Sequence, residues 1–94
     1  LKLHDPFALE ATKEWVHKHL TNHQQQQVTF HTEMYEAAVQ SDALCVLTEY
    51  KAFWSPDLLT LKETMQTPII LDGRNLYNKY WVEDNHFTYY GVGR

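Results

Sequence analysis

Apolar and polar positions follow two rhythms along this chain: alternation or short unbroken apolar runs, and the three-to-four spacing of a helix face. Leu1-Lys2-Leu3-His4 alternates and reads as a short strand. Asp5-Pro6 then predicts a helix start, because Asp caps a helix well and Pro suits its first position. Phe7, Ala8, Ala11, Trp15 and Val16 would form its apolar stripe, fading near Leu20. Thr21 to Gln27 is polar throughout and reads as a connector. Val28-Thr29-Phe30-His31 is β-prone and predicts a second strand. A short helix is expected from Met34 to Val39, with Met34, Ala37 and Ala38 inward.

Ala43-Leu44-Cys45-Val46-Leu47 is unbroken in apolarity, the mark of a strand buried on both faces. Ser55-Pro56-Asp57 predicts a helix with Ser as N-cap, and Leu58, Leu61 and Met65 share one face of it. Pro68-Ile69-Ile70-Leu71 is a second buried strand, broken by Asp72-Gly73. A weaker helix is expected over Leu76 to Val82, and Phe87 to Tyr90 is the last strand. Strands that alternate with helices predict an α/β fold, a three-layer αβα arrangement on a mostly parallel sheet.

Composition narrows the function classes. The 94 residues suit one small domain. Twelve Asp and Glu against eight Lys and Arg leave a net charge of −4. Nucleic acids and anionic membranes attract positive fields, so neither is expected as a partner. The single cysteine, Cys45, excludes an internal disulfide and suits a cytoplasmic setting. No apolar run approaches the roughly 20 residues that span a bilayer. The chain starts as if in mid-strand, as a piece of a longer one would.

In open α/β sheets ligands bind beyond the carboxyl ends of the strands. The groups there are His4-Asp5, His31-Thr32, Thr48-Glu49, Asp72-Gly73-Arg74-Asn75 and the exit at Gly91. Arg74 stands out, because its planar fork suits phosphate or carboxylate and Gly73 permits a close approach or a positive φ. The plain structural reading of Arg74 is an ion pair with Asp72 or Glu49. Neither G-x-G-x-x-G nor G-x-x-x-x-G-K-[ST] occurs, and Gly91-Val92-Gly93 lacks the third glycine. Cys45 reads as a small core residue rather than a nucleophile. His17, His19 and His23 invite a metal reading, yet lack the accompanying Glu and third ligand, so a solvated helix end is expected. His4 and His31 would lie side by side if their strands are neighbours. Phe53-Trp54, between strand and helix, suggests contact with another domain.

Several ordered segments then resemble one family. Ser41-Asp42-Ala43-Leu44-Cys45-Val46-Leu47-Thr48-Glu49-Tyr50 resembles the "gADAlvvlTEW" segment of nucleotide-sugar dehydrogenases, with Tyr50 for the commoner Trp. Pro68-Ile69-Ile70-Leu71-Asp72-Gly73-Arg74-Asn75-Leu76-Tyr77 resembles their "PvifDGRNiy". Phe87 to Arg94 resembles "GFxYYgiGR", with Asn85-His86 where the family has Gly before Phe. His4-Asp5-Pro6 resembles "YDP", and Tyr35-Glu36-Ala37-Ala38 resembles "YEAl". Together they are similar to the C-terminal, UDP-binding domain of the UDP-glucose 6-dehydrogenase family.

That resemblance implies a parent enzyme that oxidises UDP-glucose to UDP-glucuronate with two NAD, through a thioester on a cysteine. It implies a Rossmann domain for NAD, a central helical dimer region, and a C-terminal domain closing over the UDP-sugar. The arginine of the family's DGR segment reaches the substrate, which carries over to Arg74; Asp72 and Gly73 would shape that loop. The family's catalytic cysteine lies in a Gly-rich motif that this chain does not contain, and Cys45 does not match it. The piece alone is therefore expected to be catalytically silent and without cofactor, its NAD held by the rest of the chain. Its expected partners are a UDP-sugar, that remaining chain, and further copies in a homo-oligomer. The first strand of a doubly wound sheet is central, so a chain starting at the second lacks its sheet's middle. Such a chain is expected to be unstable alone, to re-pair its strands, or to borrow one. The alternatives are a dehydrogenase of another nucleotide sugar (a UDP-N-acetyl sugar or GDP-mannose), a non-enzymatic interaction module using Phe53, Trp54 and Trp81, and a His-based metal protein.

Overall fold

The computed structural model describes residues 1–93. It divides into two compact units, Leu1–Ala37 and Ala38–Arg94.

The first unit opens with strand β1 (Lys2–Leu3). The Asp5 carboxylate accepts the N–H groups of Phe7 and Ala8, both at 2.8 Å. It caps a turn rather than the helix itself, so α1 begins later, at Leu9, and runs to His19. The buried side also shifts. Val16 is buried, with Leu9, Thr12 and Leu20 half-buried beside it at helical spacing. Phe7 and Trp15, expected on the apolar stripe, are exposed. Trp15 instead stacks on His19 one turn along, centroids 4.6 Å apart.

The expected polar connector contains a helix, α2 (Asn22–Gln26). Thr21 accepts the Gln24 N–H at 3.2 Å, and the Gln24 side chain accepts the Thr21 N–H at 3.0 Å. This reciprocal capping box satisfies two end donors without any packing. Gln25 donates its side-chain amide to the Leu20 carbonyl at 2.9 Å, closing the end of α1. Strand β2 (Thr29–Phe30) pairs parallel with β1, Lys2 against Thr29 and Leu3 against Phe30. Helix α3 (Met34–Ala38) follows, within the expected span.

The second unit holds a three-stranded sheet in the order β3-β4-β5. Its strands are Leu44–Val46, Ile69–Asp72 and Thr88–Gly91. Both pairings are parallel. A 3-10 turn, Lys51–Phe53, and helix α4 (Leu58–Thr64) connect β3 to β4. The N-cap of α4 is Asp57, not Ser55: its carboxylate accepts the Thr60 N–H at 3.2 Å and the Thr60 hydroxyl at 2.9 Å. Helix α5 (Lys79–Asp84) is capped by Asn78, which accepts the Trp81 N–H at 3.1 Å.

One face of this sheet carries Ile70 and Tyr89 in one row and Val46 and Asp72 in the next, all buried. Leu58, Leu61, Met65, Val82 and Phe87 complete the core. The opposite face carries Cys45, Leu71 and Tyr90 in register, all exposed. The expectation that β3 is buried on both faces is therefore corrected, and with it the burial of Cys45. An apolar run records which residues a strand carries, not whether a second layer covers them.

The architecture is of the α/β class with parallel strands. Among the described residues five strands form two sheets rather than one: β1 pairs with β2, and β3, β4 and β5 pair in that order. No helix among the described residues is long and apolar enough to cross a membrane.

Candidate functional site

The carboxyl ends of β3, β4 and β5 lie along one edge of the parallel sheet, and the segments leaving them form the candidate site. Its foundation is Asp72, the last residue of β4 and 1% exposed. Asp72 accepts the Tyr77 N–H at 2.9 Å, the Tyr89 hydroxyl at 2.9 Å and the Arg74 N–H at 3.1 Å. Burial raises its pKa. Hydrogen bonds from the backbone of Tyr77 and Leu76, the Tyr89 hydroxyl and the Arg74 backbone outweigh that, leaving the carboxyl below its ordinary value of 3.8. The carboxylate thus remains ionised at neutral pH, turned inward onto protein donors. Its role is to fold the 72–77 segment into a defined turn.

Gly73 follows, and its N–H donates to the Val46 carbonyl at 2.8 Å. A Cβ there would lie 3.1 Å from that carbonyl oxygen and 3.2 Å from the Leu47 side chain. The close approach expected of this glycine is made to β3. The positive φ of the turn belongs to Asn75, at 51°. Asn tolerates that conformation better than most residues. The Asn75 side chain donates to the Val92 carbonyl at 2.9 Å, joining the turn to the segment beyond β5.

Arg74 presents its side chain outward. Of the two partners the sequence offered, it takes Glu49: Nε lies 3.2 Å and Nη2 2.9 Å from the same carboxylate oxygen. Asp72, the other candidate, receives only the Arg74 backbone N–H. Glu49 comes from the segment leaving β3, whose conformation is fixed by side chains. The Trp54 indole donates to the Glu49 carbonyl at 3.1 Å. Tyr77 donates its hydroxyl to the Phe53 carbonyl, linking that segment to the 72–77 turn. Tyr77 and Tyr89 were not among the candidate site residues of the sequence. Their polar ends are what fix Phe53 and Asp72, and a buried Tyr hydroxyl generally finds such a partner.

The other candidate groups lie in the first unit. His4 and His31 are neighbours, as expected if their strands pair: His4 Nδ1 donates to the His31 carbonyl at 2.8 Å. The His31 ring bridges Glu36 and Thr29, each at 2.9 Å. His19 bonds the Trp15 carbonyl at 2.9 Å. Among the described residues, no group of three or more His, Cys, Asp or Glu is placed to hold a metal ion.

What this edge offers chemically is a half-exposed guanidinium, paired on one side with Glu49, of the kind that can meet an anion. A dinucleotide needs a run of glycine N–H groups at a helix start. Here the space beside Gly73 is filled by β3, and the segment after it is a turn, so the described residues do not fit NAD.

Comparison with known proteins gives the family. Residues 1–79 match the UDP binding domain of the UDP-glucose/GDP-mannose dehydrogenase family. A UDP-glucose 6-dehydrogenase of Pseudomonas aeruginosa is 40% identical over 67 residues, covering 71% of this chain and 15% of that protein. Another, of Rhizobium meliloti, is 45% identical over 60 residues, covering 64% of this chain and 14% of its own length. The UDP-glucose 6-dehydrogenase YwqF of Bacillus subtilis is 32% identical along the whole chain, covering 20% of its own length. The chain thus spans about a fifth or less of these relatives. With the family match covering both units and the Asp72-Gly73-Arg74 turn, the chain belongs to the UDP-glucose/GDP-mannose dehydrogenase family, as its UDP-binding domain.

Proposed function

We propose that this chain is the UDP-sugar-binding part of an NAD-dependent UDP-glucose 6-dehydrogenase, in which UDP-glucose is oxidised to UDP-glucuronate. Arg74 carries the reading. Its guanidinium stands outward at the carboxyl edge of a parallel sheet, on a turn fixed by a buried, ionised Asp72. A uridine diphosphate presents pairs of oxygens that fit this fork. Asp72 and Gly73 act from behind, one by holding the turn and the other by letting it lie against β3.

The chain supplies recognition without chemistry. Cys45 lies on an exposed sheet face, one strand from Leu71 and two from Tyr90, with no base in that row. Oxidation then belongs to other parts of the polypeptide, which hold NAD, and the expected setting is a cytoplasmic homo-oligomer. UDP-glucose is favoured over GDP-mannose by the printed names of the relatives.

A second reading is an interaction module that uses Trp54 and Trp81, both exposed. Trp54 is tied to the Glu49 carbonyl, so that part of the surface adjoins the Arg74–Glu49 pair. Calorimetric titration of UDP-glucose into the chain separates the two. Arg74→Ala is expected to weaken binding about 10- to 100-fold, the usual cost of losing a charge-assisted contact. An unchanged affinity would reject the role of Arg74.

A further inference from the structure

The Arg74–Glu49 pair is too exposed to be explained by stability. The two side chains are 49% and 54% exposed, and surface pairs of that kind contribute little. Its geometry is more informative. Arg74 uses Nε and Nη2, its side edge, on a single Glu49 oxygen. Five N–H donors leave a guanidinium. Two are taken here, and of the remaining three, one of Nη1 and the second of Nη2 form the end edge, which has no partner among the described residues. Either edge of a guanidinium can meet two phosphate oxygens side by side, and with the side edge on Glu49 the end edge is the one left to do so.

Both members of the pair stand on fixed backbone. Arg74 is held at its N–H by Asp72. Glu49 is held at its carbonyl by the Trp54 indole, in a segment further secured by Tyr77 at Phe53. Lys51 lies over the Trp54 ring, 6.0 Å from its centroid. A partner 25 residues away, set so firmly, limits a long side chain that otherwise explores many rotamers.

We propose that Glu49 is a positioning residue for UDP-sugar binding: it grips the side edge of the Arg74 guanidinium and so presents the end edge to the diphosphate. This rests on the reading of Arg74 as the diphosphate contact. An opposing effect is built into the same residue, because its negative charge repels the ligand. The substitution Glu49→Gln separates them, since Gln keeps an acceptor oxygen for Arg74 and drops the charge, whereas Glu49→Ala removes both.

The test is a set of UDP-glucose titrations of the chain at one ionic strength. It compares wild type, Glu49→Ala, Glu49→Gln, Arg74→Ala and the Glu49→Ala/Arg74→Ala pair. The Arg74 Nε–H signal is recorded by NMR for each variant that keeps Arg74. Glu49→Ala is expected to weaken binding about 3- to 10-fold, as an unanchored Arg side chain must be ordered by the ligand. Glu49→Gln is expected to remain within about twofold of wild type or to bind more tightly. Glu49→Ala is expected to have no further effect once Arg74 is absent, and to move the Nε–H signal where Gln does not. A merely structural role would lower affinity in the Arg74→Ala background as well. Unchanged or tighter binding by Glu49→Ala, beside a weakened Arg74→Ala, overturns the positioning role alone. An Arg74→Ala variant that binds as wild type overturns the parent reading, and this one with it.

Discussion

The two units of this chain are built by different means. In Leu1–Ala37 the buried apolar side chain among the described residues is Val16, and the two paired strands are two residues each. Its polar contacts are mostly local: Asp5 to Phe7 and Ala8, Thr21 to Gln24, Gln25 to Leu20. From Ala38 onward, the core runs through Val46, Leu58, Leu61, Ile70, Val82, Phe87 and Tyr89. There the decisive polar contacts join distant segments: Tyr89 to Asp72, Tyr77 to Phe53, Arg74 to Glu49, Asn75 to Val92. Local contacts specify elements, but burial holds elements together, because a two-stranded ribbon is marginal in water. The candidate site therefore stands on the second unit, where its turn has a foundation.

This contrast gives an ordered set of expected outcomes. Ile70 is completely buried, and Ile70→Ala should cost about 2–5 kcal/mol, enough to unfold the second unit. Urea melting followed by amide signals in each unit measures it. Loss confined to residues before Ala38 would contradict the assignment of the core.

Asp72→Asn comes next, at about 1–3 kcal/mol, because two or more buried donors lose a charged acceptor. Its pH dependence has a definite sign. The folded-state pKa of Asp72 lies below the unfolded value near 3.8. Its stabilisation is therefore complete above that value and is lost as pH falls through the folded one. The difference in Tm between wild type and Asp72→Asn should be constant near neutrality and narrow in acid. A difference that widens on acidification would mean the carboxyl is held protonated.

The smallest effect belongs to the first unit. Thr21→Ala removes the capping box and should cost about 1 kcal/mol. It should speed amide exchange over Asn22–Gln26 and leave β3, β4 and β5 unchanged. Faster exchange in β4 would show that the two units melt as one.

The same division explains what the sequence made legible. Element order and type mostly follow from apolar spacing, and Asp72-Gly73-Arg74 could be singled out as a candidate because Gly73 permits a close approach and the Arg74 fork suits phosphate or carboxylate. The α2 helix was also written in the chain, as Thr21 with Gln24 three residues on, but its lack of apolar residues hid it. Asp57 replaced Ser55 as cap because the cap is decided by which side chain reaches the Thr60 N–H. Burial of Cys45 was not readable, since a strand's composition does not say whether a second layer lies above it. Nor was the choice of Glu49 over Asp72, which depends on Tyr77 and Tyr89 having already engaged the Asp72 carboxylate from 5 and 17 residues away.

The central claim is that the turn after β4 meets a uridine nucleotide. A ¹H–¹⁵N correlation spectrum of the chain, titrated with UDP-glucose and separately with GDP-mannose, tests it most directly. The expected result is a dispersed spectrum in which Gly73, Arg74 and Asn75 move, joined by Glu49 and Val92, and move with the uridine nucleotide alone. Shifts confined to residues before Ala38, or a folded spectrum indifferent to UDP-glucose, would contradict it.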